Sequence, residues 1–241
     1  MLLGARNIMM SGGWKNPYVT DGLVAMWDGE WNAGGGKHIS STMRWVDVCG
    51  NEQDMTPYDG ITPLVFNDKA LITTDTVPYN TTSGRLINDK VSSYTIECGF
   101  LNLRCGYSRN AFYNGSLNST TGTTFNGMIW GSGIGTNTPM RVCINNVAYQ
   151  MNSTISTGER VYLAIAFNNG SGDIYHNGII DIQTTTSGIN GNTNLFIGAG
   201  GSAAMQSCYS EYYFLRIYSR SLLVDEISHN YQIDKKRFNL P

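Results

Sequence analysis

The chain has 241 residues, of which 41% are hydrophobic and only 14% charged, and its formal net charge is −2. Disordered chains combine low apolar content with high net charge, so this composition excludes a disordered protein. No segment is denser in basic residues than 235–237, and the electrostatic footprint of a nucleic-acid binder is therefore missing.

Residues 1–20 form an N-terminal arm that fits neither a strand pattern nor a helix pattern. Segments 1–3 and 8–10 are apolar, whereas 11–17 is loop-like. One interpretation is an anchoring arm that docks on a neighbouring subunit, and the other is a terminal segment that packs on its own domain, placed at 21–241. The arm lacks an apolar stretch long enough for Sec-dependent export. No segment of the chain reaches the roughly 18 apolar residues of a membrane span.

From about residue 22 onwards, short apolar segments are separated by clusters of Gly, Asn, Ser and Thr, a pattern typical of antiparallel strands. Side chains at i and i+2 share a face, so the alternation in 95–101 predicts a sheet that packs against a second layer. Two polar stretches, 114–124 and 184–193, predict long exposed loops. The clearest predicted strands are 23–27, 43–48, 94–100, 127–130, 140–144 and 160–167.

Two local signals mark the second half of the chain. Asn177 and Gly178 tolerate positive φ, which predicts a type I′ hairpin turn between two strands. Residues 222–233 have helical periodicity, with basic residues 235–237 near the C-terminal end of the helix dipole. Leu223 stands where a Ser or Thr cap is expected, so either Ser221 caps this helix or nothing does. The predicted buried stripe consists of Leu223, Ile227, Tyr231 and Asn230.

The order of these segments resembles the concanavalin A-like jelly roll. The resemblance rests on 160–167 (RVYLAIAF), 172–179 (GDIYHNGI), 194–198 (NLFIG) and 214–222 (FLRIYSRSL). It is closest to the laminin G-like and pentraxin-like branch, in which a Tyr-x-Asn-Gly hairpin and an Arg-Ile-Tyr strand precede a short helix. The resemblance implies an all-β, antiparallel two-sheet jelly-roll sandwich with one short C-terminal helix.

One turn offers hard oxygen ligands, since Asp47, Asn51 and Asp54 lie close together in sequence. The resemblance brings occasional calcium sites, so this turn is the candidate Ca²⁺ site. The alternative is that the same side chains close an Asx turn. The 5 cysteines are an odd number without a C-x-x-C pair, which argues against zinc and against a disulfide framework.

The sequence carries no complete catalytic motif of the kinds expected for this fold. Glucanases of the resembled fold use E-x-D-x-x-E, and the nearest string here, 52–57, has Pro57 in place of the second glutamate. The 3 histidines lie in separate segments, so no triad is indicated. Asp28 and Glu30 could form a carboxylate pair, although Gly29 between them favours a turn. We expect a chain that is not an enzyme, with glycoside hydrolase as the less favoured alternative.

Four aromatic residues in loop-like surroundings are candidate platforms for the C–H faces of sugars: Trp31, Tyr58, Tyr107 and Tyr113. The leading hypothesis is a non-catalytic, lectin-like adhesion module that binds a glycan or cell-surface polysaccharide and is displayed in several copies. The alternative is a structural decoration or fibre protein of a bacteriophage virion without a sugar ligand. The expected partners are a glycan and either further copies of the chain or neighbouring virion proteins. The expected location is a virion or extracellular surface, and the alternative is the cytoplasm.

Overall fold

The structure, a computed structural model, describes residues 16–31, 37–38, 41–57, 59–73, 79–81, 89–104, 110–115, 127–131, 139–144, 147–185, 189–191, 194–197 and 209–241. The helix in this part of the chain is α1 (Val224–Phe238). The strands are β1 (Leu23–Asp28), β2 (Ser41–Thr42), β3 (Met55–Pro57), β4 (Leu64–Phe66), β5 (Leu71–Ile72), β6 (Tyr79–Thr81), β7 (Asp89–Val91), β8 (Ser93–Arg104), β9 (Asn110–Gly115), β10 (Gly127–Gly131), β11 (Pro139–Ile144), β12 (Val147–Thr154), β13 (Arg160–Asn168), β14 (Ser171–His176), β15 (Ile179–Thr185), β16 (Ile189–Gly191), β17 (Asn194–Ile197) and β18 (Tyr209–Tyr218).

These strands form two large antiparallel sheets. The 9-stranded sheet has the order β15-β14-β13-β8-β18-β5-β4-β2, and β1 also pairs with β18. The 7-stranded sheet has the order β12-β11-β10-β9-β17-β6-β3, and β16 pairs with β7 separately. The predicted antiparallel two-sheet sandwich with a C-terminal helix is confirmed.

The main apolar core lies between the two large sheets. From β8, Ile96 and Phe100 enter this core, and the opposite sheet contributes Val142 of β11 and Met151 of β12 to the same cluster. Strand β13 contributes alternate residues such as Leu163 in the same way. This period of two is what a strand requires when one face packs against a second layer.

The opposite face of the 9-stranded sheet is covered by α1. Ile227, Tyr231 and Phe238 of the helix pack with Tyr162 and Phe214 of the sheet in a second buried cluster. The 9-stranded sheet is therefore buried on both faces over its central strands. Among the described residues, no helix has both the length and the apolar character needed to cross a membrane.

Five of the six clearest predicted strands are present, but the prediction for 43–48 is wrong. In that segment, ladder pairing is limited to an isolated bridge between Trp45 and Met55. The chain turns there because the Asp47 side chain binds nearby backbone N–H groups. The loop predicted at 184–193 is also wrong in part, since β15 continues to Thr185 and β16 begins at Ile189. Residues 116–124 of the other predicted loop lie outside the described part.

The Asn177–Gly178 turn joins β14 to β15 as predicted. The φ angles of Asn177 and Gly178 are 50° and 78°, the left-handed values of a type I′ turn. A Cβ atom at Gly178 would lie 2.4 Å from Cδ1 of Tyr231, so the turn also packs closely against α1. Glycine is required at this position for both reasons.

Helix α1 begins two residues after the predicted start and extends to Phe238. Leu223 occupies the N-cap position and is exposed rather than part of the buried stripe. The Glu226 carboxylate accepts the Leu223 N–H at 2.8 Å, which is the half of a capping box that needs no Ser or Thr at the N-cap. Ser221 instead donates its backbone N–H to Ser93 Oγ. The buried residues of the helix are Ile227, Asn230, Tyr231, Asp234 and Phe238.

Candidate functional site

A groove of about 640 Å³ opens between α1 and the turn that follows β1. We call it the Trp31 groove. Its wall on the β1 side is formed by Glu30 and the half-buried Trp31, with Pro17 of the arm beside them. Ile233 of α1 also lines it. An aromatic side chain beside polar groups in a concave surface is the usual composition of a small-ligand site.

Asp28 fixes the backbone that carries Trp31. Its Oδ1 atom accepts the N–H groups of Glu30 and Trp31, each at 3.0 Å. Arg237 of α1 then binds both Asp28 carboxylate oxygens, at 2.7 and 3.0 Å, and reaches Glu30 Oε2 at 3.3 Å. Burial opposes the charge of Arg237, but the Asp28 carboxylate outweighs it and raises the pKa of the guanidinium. The turn is therefore tied rigidly to the helix.

The same contacts define the carboxylate pair noted in the sequence. Asp28 and Glu30 both bind one guanidinium, that of Arg237. Asp28 is also buried and holds two backbone N–H groups of the turn. Strand β1 ends at Asp28, so this carboxylate closes the turn, while Glu30 remains at the groove.

The α1 side of the groove presents a row of polar side chains. His229, Gln232 and Lys236 follow one another at spacings of three and four, which places them on one helical face. All three are exposed. His229 Nε2 donates to the backbone carbonyl of Pro17 at 2.8 Å. Within the described part of the chain, Gln232 and Lys236 make no side-chain hydrogen bond or ion pair, so both are available to a ligand.

A buried polar network lies beneath α1. Arg216 Nε donates to Glu97 Oε2 at 2.6 Å, and its two terminal nitrogens bind the Asp234 carboxylate. Asn230 Nδ2 donates to both Glu97 oxygens, at 3.1 and 3.0 Å. Tyr162 donates its hydroxyl hydrogen to Glu97 Oε1 at 2.5 Å. Burial raises the pKa of Asp234 to about 6, although Arg216 opposes the shift.

The arm enters this network at Tyr18. The Tyr18 hydroxyl donates to Asp234 Oδ1 at 2.6 Å and accepts from Arg237 Nη1 at 2.6 Å. The Val19 N–H donates to Asn230 Oδ1 at 3.0 Å. Residues 16–20 thus pack on the domain, and Pro17 is brought to the groove. The boundary at residue 20 and the subunit-docking role of the arm stay predictions.

Of the four predicted platform residues, the structure brings Trp31 to the groove. Tyr58 and Tyr107 lie outside the described residues. Tyr113 lies in β9, where its backbone is opposite Ile129 of β10 and Phe196 of β17. The polar row on α1 was not among the residues that the sequence pattern indicated. Its signal is the spacing of His229, Gln232 and Lys236 on the exposed face of a predicted helix.

The three predicted calcium ligands lie in one loop, with their side chains bound to the backbone. Asp47 Oδ1 accepts from Met26 N and Cys49 N, and its Oδ2 accepts from Asn51 N. Asp54 Oδ1 accepts the Asp47 N–H at 2.8 Å, and Asn51 Nδ2 donates to a backbone carbonyl. Burial raises the pKa of Asp47, although the hydrogen bonds from these backbone N–H groups act to lower it. This geometry favours the loop-closing alternative, and calcium binding stays a prediction.

The described residues contain no group of three or more His, Cys, Asp or Glu side chains arranged to hold a metal ion. Cys49 and Cys98 are both buried free thiols. The chemistry at the Trp31 groove is therefore that of an indole, a carboxylate, an amide, an imidazole and an ammonium group.

Fold and groove together define a two-sheet β-sandwich with a helix packed on its larger sheet. No protein-family model and no curated protein sequence matches this chain, but solved structures share its fold. Domain 4 of AbnA, a GH43 extracellular arabinanase from Geobacillus stearothermophilus solved with arabinotriose, has a TM-score of 0.64 at 16% identity, over 86% of this chain and 96% of that chain. Trypanosoma rangeli sialidase with 2,3-difluorosialic acid has a TM-score of 0.66 at 12% identity, over 98% of this chain and 36% of that chain.

A third similar structure is the binding domain of Paraclostridial Mosquitocidal Protein 1, with a TM-score of 0.59 at 14% identity. The alignment covers 90% of this chain and 52% of that one. This chain thus spans about a third of the sialidase and about half of the mosquitocidal binding domain. At these identities the likeness establishes the fold.

The expectation that the chain is not an enzyme is contradicted by these comparisons. The arabinanase and the sialidase are glycoside hydrolases, so their chains carry this fold in proteins that cleave glycosidic bonds. The expectation rested on the missing E-x-D-x-x-E motif. That motif belongs to one group of enzymes with this type of sandwich, and its absence does not distinguish a binding domain from other hydrolases. The non-catalytic description is therefore withdrawn.

Proposed function

We propose that this chain is a glycan-binding β-sandwich domain and that the Trp31 groove is its binding site. The observation that carries the proposal is a half-buried indole, held on a turn that Asp28 and Arg237 fix, across from exposed polar side chains of α1. An aromatic ring covers the C–H face of a sugar, and neutral or charged polar groups bind its hydroxyls. A preformed site of this kind loses little entropy on binding.

The similar structures support the same ligand class. The arabinanase domain was solved with arabinotriose, and the sialidase was solved with sialic acid and related inhibitors. These ligands belong to those proteins, and they come to this chain as a proposal that rests on the shared fold and on the chemistry of the groove. The closer assignment to the laminin G-like branch is part of the proposal.

The test is binding to an immobilised panel of saccharides, followed by titration calorimetry with the best binder. Trp31→Ala should lower affinity at least tenfold, since losing an aromatic platform should cost about 1.4 kcal/mol or more. Tyr209→Ala is the matched control, because Tyr209 is an exposed aromatic residue that does not line the groove. Tyr209→Ala should keep the parent melting temperature within a few degrees. Trp31→Ala should lower it, because Trp31 also packs against the cluster of Tyr18, Met26, Val48 and Cys49, so both titrations are run well below the melting temperature of that variant. Binding that survives Trp31→Ala unchanged would reject this groove.

We also infer display in several copies on a virion or extracellular surface, where weak single sites add up by avidity. The neutral composition and the apolar arm support this inference. Light scattering of the purified chain measures the number of copies directly. A strict monomer that does not bind any saccharide of the panel would contradict both the avidity and the glycan proposal.

A further inference from the structure

We infer that the Trp31 groove selects an uncharged oligosaccharide of two or more units that lies along α1. This inference rests on the proposed glycan-binding function and adds the charge and the length of the ligand. It follows from two properties of the groove that the structure gives independently, namely its charge balance and the spacing of its polar side chains.

The first property is charge balance. Glu30 lines the groove and the buried Asp28 lies behind it, and together these two carboxylates balance the positive charges of Arg237 and Lys236. Arg237 already binds the two carboxylates and the Tyr18 hydroxyl, and its side chain is only 15% exposed. It is therefore committed to the turn and is not a free anion-binding group.

The layer beneath the groove does not favour an anion either. The buried Arg216 guanidinium pairs with the carboxylates of Glu97 and Asp234, so this layer has one basic group for two acidic groups. Lys236 is the exposed cation of the groove, and the excess carboxylate of the Asp28–Glu30 turn offsets it. An acidic sugar would gain one exposed ion pair with Lys236, which is worth little in water, and it would lie beside the Glu30 carboxylate. A neutral saccharide meets no such penalty.

The second property is length. His229 and Lys236 are seven residues apart on α1, which at the rise of an α-helix corresponds to about 10 Å. Gln232 lies between them on the same face. One sugar ring stacked on Trp31 cannot reach all three side chains, whereas two or three linked rings can. The row therefore predicts that affinity rises with the number of sugar units.

The polar groups match hydroxyls rather than a single fixed charge. Because His229 Nε2 donates to the Pro17 carbonyl, the neutral ring has Nδ1 left as an acceptor. Glu30 supplies acceptor oxygens, and Gln232 supplies both an acceptor and two donors. Hydroxyl groups donate and accept at once, so a neutral sugar chain can satisfy every member of the row.

The test measures affinity by calorimetry for four probes: arabinose, arabinotriose, maltotriose and sialyllactose, with a wider panel of neutral and acidic saccharides as a screen. We expect a neutral trisaccharide from the probes or the panel to bind at least tenfold more tightly than its monosaccharide and more tightly than sialyllactose. Its affinity should change little between low and high salt, because no ligand charge is screened.

Variants separate the length argument from the platform itself. Gln232→Ala and Lys236→Ala should each lower affinity for the neutral trisaccharide about three- to tenfold, and should lower affinity for the monosaccharide by a smaller factor, because one ring cannot contact the whole row. Lys235→Ala is the control, because Lys235 carries the same charge one residue away and lies over the Tyr231 ring, outside the groove. It should leave both affinities unchanged.

The outcomes distinguish this inference from the proposed function. Binding that depends on Trp31 but prefers acidic sugars, or is as strong for monosaccharides, would overturn the inference and leave the glycan-binding function standing. Absence of binding across the panel, or binding insensitive to Trp31→Ala, would reject the function and the inference together. Length-dependent binding of neutral sugars that is lost in Trp31→Ala supports both.

Discussion

One face of the 9-stranded sheet packs an apolar core, whereas the other combines an apolar and aromatic cluster with buried charged side chains. The face toward the second sheet is apolar, and it holds Ile96, Phe100 and Leu163 in the main core. The face toward α1 contains Glu97, Arg216 and other polar side chains with less than 1% exposure. Adjacent residues of one strand, such as Ile96 and Glu97, therefore enter environments that differ in polarity.

The two faces also differ in how well polar atoms are satisfied. In the apolar core, Trp27 Nε1 and the Tyr94 hydroxyl have no hydrogen-bond partner in the part of the chain that the structure describes. On the α1 face, the single carboxylate of Glu97 accepts hydrogen bonds from Arg216, Asn230 and Tyr162. A buried charge is tolerated only when it is paired and hydrogen-bonded, so this face depends on every member of its network.

The largest effect should follow removal of the central cation. Arg216→Met leaves Glu97 and Asp234 buried without a counter-charge, and it should lower the free energy of unfolding by about 3–5 kcal/mol at neutral pH. Urea denaturation measures this loss. Neutralising the two carboxylates as well, in Arg216→Met with Glu97→Gln and Asp234→Asn, should recover part of it. A triple variant no more stable than the single one would show that packing rather than unpaired charge is responsible.

On the apolar face, a truncation should cost nearly as much for a different reason. Leu163 is 1% exposed in the main core, and Leu163→Ala should lower the free energy of unfolding by about 2–5 kcal/mol through lost burial and a cavity. Since no charge is involved, the loss should be the same at acidic and neutral pH. A loss that changes with pH would mean that the two faces are coupled.

The alternation of 95–101 predicted a sheet that packs against a second layer, but it could not predict that buried charged side chains would lie on the other face of that sheet. Glu97 and Arg216 are cross-strand partners in the β8–β18 ladder, and 119 residues separate them. Their meeting depends on register and topology, which local periodicity does not specify. The apolar residues were predictable because burial needs only hydrophobicity at the right period.

The candidate site divides in the same way. Trp31 could be proposed from its loop-like surroundings alone. The polar row on α1 could not be placed opposite it, because the link between them, from Arg237 to Asp28, spans 209 residues. Segment 43–48 was predicted as a strand from its sequence pattern, but the Asp47 side chain accepts hydrogen bonds from backbone N–H groups there and the chain turns instead.

Acidification should change the contribution of Asp234, on the α1 face, to the free energy of unfolding by about 2 kcal/mol, and it should leave the contribution of Leu163, in the apolar core, unchanged. The folded-state pKa of Asp234 is raised from 3.8 to about 6, chiefly by burial. The folded state therefore binds this proton more tightly than the unfolded state, and stability from this group increases as pH falls through about 6 and is lost as pH rises. Asp234 faces Tyr18, Arg216 and Glu97.

The measurement compares wild type with Asp234→Asn. Between about pH 7.5 and about pH 4.5, the difference in free energy of unfolding should move by about 2 kcal/mol in favour of wild type. Leu163→Ala is the control, since its difference from wild type should stay flat. A difference that moves toward the Asn variant on acidification would show that Arg216, rather than burial, controls Asp234.

The smallest effect is expected at the exposed start of α1, outside both buried faces. Glu226 accepts from the Leu223 N–H and pairs with Arg220, and the Arg220 hydrogen bond is the main cause of its lowered pKa. Glu226→Ala removes the cap and the ion pair, and should cost about 1 kcal/mol or less. Glu226→Gln keeps an acceptor for Leu223, so it should cost less than the Ala variant in urea denaturation. Equal losses in the two variants would assign the effect to the lost charge rather than to the Leu223 hydrogen bond. An exposed ion pair is weak and a helix cap acts locally, so a loss as large as that of Arg216→Met would mean that Glu226 belongs to the buried polar network.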